Sequence, residues 1–97
     1  MTEFFELGTY LKEKRQSEKL TQAELANKLG DVHAQFVSNW ERGLCAPPGH
    51  CFLQLIQILS LNREKLVRVM LNDSRKVIQS KVHGKSLPEK ARKKKTG

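Results

Sequence analysis

The chain holds only two cysteines, Cys45 and Cys51, one tryptophan and three prolines in 97 residues. Two thiols are too few for a disulfide scaffold, and a cytoplasmic setting would keep them reduced. No apolar run approaches the roughly 18 residues that a membrane span needs. The segment Met1-Thr2-Glu3-Phe4-Phe5-Glu6 is acidic where a secretory signal would be basic, and no long apolar stretch follows it. These absences predict a cytoplasmic protein. Apolar-polar alternation bounded by turn residues is missing, which argues against strands. No internal repeat is visible.

Chemistry is sparse too. A chain of 97 residues is one domain's worth, and it buries only about 60–65% of its unfolded surface. Large catalytic architectures do not fit that length. No Ser/His/Asp arrangement, carboxylate pair or Gly-rich phosphate loop stands out, so neither an enzyme activity nor a cofactor is expected. Cys45, His50 and Cys51 lie close together, but a structural zinc site takes four ligands. The fourth would have to be remote His33 or His83, and Pro47-Pro48 stiffens the loop. No metal site is expected.

Acidic residues are scarce in one part of the chain only. The net charge is +8. Residues 1–60 carry six cations (Lys12, Lys14, Arg15, Lys19, Lys28, Arg42) and seven anions (Glu3, Glu6, Glu13, Glu18, Glu24, Asp31, Glu41). Residues 61–97 carry twelve cations against Glu64, Asp73 and Glu89. A basic region of this kind points to a polyanion, most often nucleic acid and less often an acidic membrane surface.

What is present reads as helix throughout. A first helix is predicted from about Phe4 to Ser17, with Leu7, Leu11 and Phe4 on one stripe. A second runs from Gln22 to Leu29 behind a Thr21-x-x-Glu24 capping box, buries Leu25, Ala26 and Leu29, and stops at Gly30. A third spans Ala34 to Arg42, contributes Phe36 or Val37 together with Trp40, and closes at Gly43. Pro47-Pro48 makes the following segment a loop. A fourth runs from His50 to Leu59, with Leu53, Ile56, Phe52 and Leu59 toward the core. Asn62 is a fair cap for a fifth helix, which starts near Arg63 and reaches as far as Val82. Leu66, Val69, Met70 and Val77 line one flank of it; Val67, Leu71, Ile78 and Val82 line another. That surplus apolar face is either a dimer seam or a cover for the core. Residues 84–97 have almost no apolar content and are expected to be disordered. Their cluster Lys90, Arg92, Lys93, Lys94, Lys95 is either a solubilising end or an arm that neutralises DNA phosphates.

The most informative stretch is Thr21-Gln22-Ala23-Glu24-Leu25-Ala26, followed by Gly30 and then Ser38-Asn39-Trp40-Glu41-Arg42-Gly43. It describes two short helices joined by a turn, with small Ala26 at their closest approach and Val37 and Trp40 filling the angle between them. A pair held this way can offer its second helix to the DNA major groove. Together with Leu11-x-x-x-Arg15 in the first helix, this pattern resembles the lambda-repressor-like (Xre, Cro/cI-type) helix-turn-helix DNA-binding domain. The resemblance covers residues 7 to about 70. Between Gly30 and the third helix the chain is one residue longer than the shortest family members, which leaves the docking mode intact.

The resemblance implies roles for particular residues. Gln22 is similar to a family glutamine that binds a DNA phosphate and buttresses the recognition helix. Gln35 and Asn39 lie where base contacts concentrate; their amides suit adenine N6 and N7, and Asn39 alternatively reaches a phosphate. His33, Ala34 and Ser38 complete the groove-facing surface; Ala34 suits a thymine methyl, and His33 is otherwise a cap. Arg42 and the backbone from Gly43 to Cys45 sit where the family grips phosphate. Lys93, Lys94 and Lys95 are further phosphate candidates. Arg15 and Glu41 resemble a structural ion pair, and Trp40 is a core anchor. The expectation is therefore an all-α protein: a compact five-helix lambda-repressor-like domain over 1–71, a C-terminal helical extension over 72–83, and a basic disordered tail over 84–97. The expected function is sequence-specific binding of double-stranded DNA by a transcriptional regulator, a repressor in the nucleoid, acting as a homodimer. A protein-protein adaptor of the antitoxin type and a non-specific architectural DNA binder are the alternatives.

Overall fold

The computed structural model describes residues 2–83. They form α1 (Phe5–Ser17), α2 (Gln22–Leu29), α3 (Ala34–Glu41), α4 (Gly49–Leu59) and α5 (Arg63–His83), with no strand among the described residues. The all-α expectation is met, with boundaries within one residue of those read from the pattern. The tail over 84–97 lies outside the described residues. Across positions 71 and 72, α5 continues without a break.

The core forms where one stripe from each helix converges. Leu7, Tyr10 and Leu11 come from α1, Leu25, Ala26 and Leu29 from α2, and Val37 and Trp40 from α3. Cys51, Leu55 and Leu59 come from α4, and Leu66 and Val69 from α5. At Gly8, α1 comes close to the backbone of α3. A Cβ there would stand 2.5 Å from the Trp40 carbonyl oxygen and 2.6 Å from that of Glu41. Only hydrogen fits, so Gly8 lets α1 lie directly on the end of α3.

One expectation about burial is corrected and one open alternative is resolved. On α4, Leu53 is 63% exposed while Leu55 is fully buried. The run Phe52-Leu53-Gln54-Leu55-Ile56-Gln57-Ile58-Leu59 is apolar on nearly every side, so composition does not reveal which face turns inward. The stripe at 51, 55 and 59 wins because its members stand one turn apart and meet α1 and α2 together. On α3, Val37 is the core residue and Phe36 is 48% exposed.

Turns and caps follow the chemistry of their residues. Thr21 Oγ1 accepts from the Glu24 amide, and the Glu24 carboxylate accepts from the Thr21 amide, completing the capping box. Gly30 ends α2 at φ +99°, a conformation that side chains disfavour. Asn62 Oδ1 accepts the Lys65 amide and so starts α5. The Asn62 amide in turn donates to the Tyr10 hydroxyl at 2.8 Å, pinning the α4–α5 connection to α1.

The first turn of α1 is capped from a distance. Phe4, at its N-cap, offers no side-chain acceptor. Instead Asp73, buried on α5, accepts from the amides of Glu6 and Leu7, each at 2.9 Å. A negative charge at a helix N-terminus is favoured by both the free N–H groups and the helix dipole.

Candidate nucleic-acid interface

The braces of α3 converge on Glu41. The Arg15 guanidinium grips it in two-pronged fashion, Nε donating to Oε2 and Nη2 to Oε1, the latter at 3.0 Å. Arg15 Nη1 also donates to the Leu20 carbonyl at 2.7 Å, tying in the α1–α2 turn. Gln22 Nε2 donates to Glu41 Oε1 at 2.9 Å. The two charged side chains are only 10% and 3% exposed. Paired, planar and nearly dry, this cluster links α1, the first residue of α2 and the last of α3. The Arg15–Glu41 pair and the buttressing contact of Gln22 are thus both present in the structure.

The outward face of α3 is polar and already organised. Gln35 Nε2 donates to Asn39 Oδ1 at 3.0 Å, and Arg42 Nη2 donates to the same oxygen at 2.7 Å. These three residues stand one turn apart in a single row. Ser38 and Ala34 are half-buried at one edge of that row, and Ala34 packs against the core. His33 is exposed and occupies the N-cap position of α3 with extended backbone, but its side chain makes no capping bond. Its ring lies 6.0 Å from that of Phe36, tilted by 48°.

The turn after α3 modifies one expectation. Gly43 is buried at φ +77°, its amide donating to the Trp40 carbonyl at 3.0 Å. The Leu44 amide donates to the Asn39 carbonyl. A Gly43 Cβ would collide with Thr2 Oγ1 and crowd Phe4. Gly43 therefore shapes the turn, and its amide is already engaged, while the Arg42 side chain is exposed. Lys93, Lys94 and Lys95 lie outside the described residues.

Other chemistry is thin. Cys51 is buried, and burial raises its thiol above the usual range; Cys45 is exposed. No group of His, Cys, Asp and Glu among the described residues is placed to hold a metal ion. No helix among them is long and apolar enough to cross a membrane.

With this geometry in view, a family model described as helix-turn-helix matches residues 11–50. Over those residues the chain is similar to a helix-turn-helix domain. The match begins within α1 and takes in α2, α3 and the loop to α4. It is the domain type of DNA-binding regulators. No curated protein and no solved structure matches the chain.

Three residues of this helix-turn-helix and its surroundings escape the sequence pattern. Gly8 bears no sign of its role except its place one residue after the core position Leu7. Asp73 has a readable signal: it falls on the buried flank of Leu66 and Val69, where a carboxylate needs a partner. Phe36 competes with its neighbour Val37 for one core position, and only packing separates them.

Proposed function

We propose that the chain is a sequence-specific, double-stranded DNA-binding transcriptional regulator, a repressor, with α3 in the major groove. The observation that carries this reading is the row Gln35, Asn39, Arg42 on the outer face of a helix braced from behind by Arg15, Gln22 and Glu41. A rigid rod with an exposed amide row suits base edges, because each amide presents a donor and an acceptor at the spacing of adenine N7 and N6. The bonds within the row hold the amides in place until bases replace them. His33, Ala34 and Ser38 border the contact. Gln22 and Arg42 set register on the backbone, and Lys93, Lys94 and Lys95 neutralise further phosphates.

Two copies joined along α5 would place two such helices on half-sites one DNA turn apart, and occupation of that operator in the nucleoid would block polymerase. The support for joining is the apolar ridge of Val67, Leu71, Ile78 and Val82, all more than half exposed. The same ridge favours, as a second reading, an adaptor that binds a different protein.

Selection of bound sequences from random duplex DNA, with the full chain at two salt concentrations, tests the proposal. An enriched pseudo-palindrome, weakening linearly in log affinity against log salt, is the expected result. Absence of enrichment at both salts overturns specific readout and leaves the adaptor or coating roles.

A further inference from the structure

Phe36 is the one large apolar side chain exposed on α3, at 48%. It stands next to Gln35 and one turn before Trp40, at the edge of the polar row. Its exposure is not a fraying accident, because α3 continues for five residues beyond it. The His33 ring rests beside it, so the pair forms a small aromatic ledge at the start of the helix. An uncovered aromatic ring among amides leaves apolar surface in water unless a ligand covers it.

We propose that Phe36 reads thymine C5-methyl groups in the major groove and so adds a specificity determinant to the amide row. This rests on the DNA-binding reading given above. The chemistry is complementary. Gln35 and Asn39 are amides of the kind that pair with adenine, and every adenine they read faces a thymine across the pair. Thymine is the one DNA base that carries a methyl group on its major-groove edge. A ring beside the amides therefore meets methyl groups in the same A·T pairs, or in their neighbours, that the amides select. Covering one methyl with the ring favours thymine over the same base without it by about fourfold. The operator half-site is accordingly rich in A·T pairs under the first two turns of α3.

The test uses the duplex enriched by selection. Each thymine in turn is replaced by deoxyuridine, which removes the C5-methyl and keeps the base-pairing edge. The full chain and its Phe36→Ala and Phe36→Leu variants then compete for these duplexes, with helix content checked by circular dichroism. One or two thymines per half-site should each cost the parent chain about fourfold on losing the methyl. The same replacements should cost Phe36→Ala nothing, with Phe36→Leu intermediate. Indifference of the parent chain to every replacement overturns the proposal, as does an equal loss in the parent and in Phe36→Ala, which would assign the methyl to another residue. Either outcome leaves base readout by Gln35 and Asn39 standing. Failure to enrich any sequence sinks both readings together.

Discussion

Asp73 caps a helix to which it does not belong. Its two carboxylate oxygens accept the Glu6 and Leu7 amides of α1 across 67 and 66 residues of chain. The second half of α5 is thereby joined to the first turn of α1, which lies under the end of α3 through Gly8. Replacing Asp73 with Ala strands two amides and removes a favourable charge from the helix dipole. The expected loss is about 2–3 kcal/mol in urea unfolding, with Asp73→Asn keeping part of it.

Beside that cap, Glu6 is held by Lys76 and Asn72. The Lys76 ammonium lies 2.8 Å from Glu6 Oε2, and the Asn72 amide 3.1 Å from Oε1. Hydrogen bonding to Lys76, then to Asn72, holds the Glu6 carboxyl below its usual range. The folded chain then binds fewer protons there than the unfolded chain, so stability rises with pH. The contribution is complete above the ordinary carboxylate value and disappears as pH falls through the lowered one. Glu6→Gln should flatten this part of the stability profile, from the ordinary carboxylate range downward. Denaturant midpoints across that range measure the difference; parallel profiles for the two chains contradict it.

Removing one member of the Arg15–Glu41 pair leaves the other nearly dry and unpaired. Arg15→Ala and Glu41→Ala should each cost about 3–5 kcal/mol. The double substitution should cost well under their sum, because neither charge is then stranded. Thermal unfolding of the four chains closes the cycle, and strict additivity would show that the two side chains act independently.

Much of this arrangement was legible beforehand. The capping box at Thr21 and Glu24, the stop at Gly30, the cap at Asn62 and the limits of all five helices follow from local chemistry that needs few distant partners. The ion pair followed from a resemblance carried by Arg15 and Glu41. What escaped depends on which of several apolar residues turns inward, or on contacts between remote segments. Leu55 and Leu53 are chemically alike, and only the position of α1 and α2 chooses between them. Asp73 and Glu6 are far apart in sequence, and no periodicity announces their meeting.

Gln35 and Asn39 offer the sharpest separation of base reading from mere attraction to DNA. Gln35 is exposed and Asn39 half-buried on the outer face of α3, and their side chains bond only within the row, so Ala at either position should cost no more than about 0.5–1 kcal/mol. Each substitution should reduce discrimination between the selected sequence and a scrambled one by about 1–3 kcal/mol, with binding to the scrambled duplex little altered. Competition binding at fixed salt measures both quantities. Equal weakening on the two duplexes would assign these amides to the backbone.

The ridge on α5 is best tested without shortening the chain. Ending it at Asn72 would also remove Asp73 and Lys76, and with them the cap and the ion pair at the start of α1. Loss of a dimer would then be inseparable from partial unfolding. Leu71→Lys and Ile78→Lys change only exposed positions, at 59% and 58% exposure, and should leave unfolding midpoints nearly unmoved. If two copies meet along this ridge, each Lys places a charge in an apolar contact and light scattering shows monomer where the parent chain shows dimer. Affinity for the full palindrome falls, while binding to one half-site persists, because α3 and its Glu41 brace are untouched. A dimer that survives both substitutions moves the seam elsewhere, and a parent chain that is monomeric at every concentration removes it altogether.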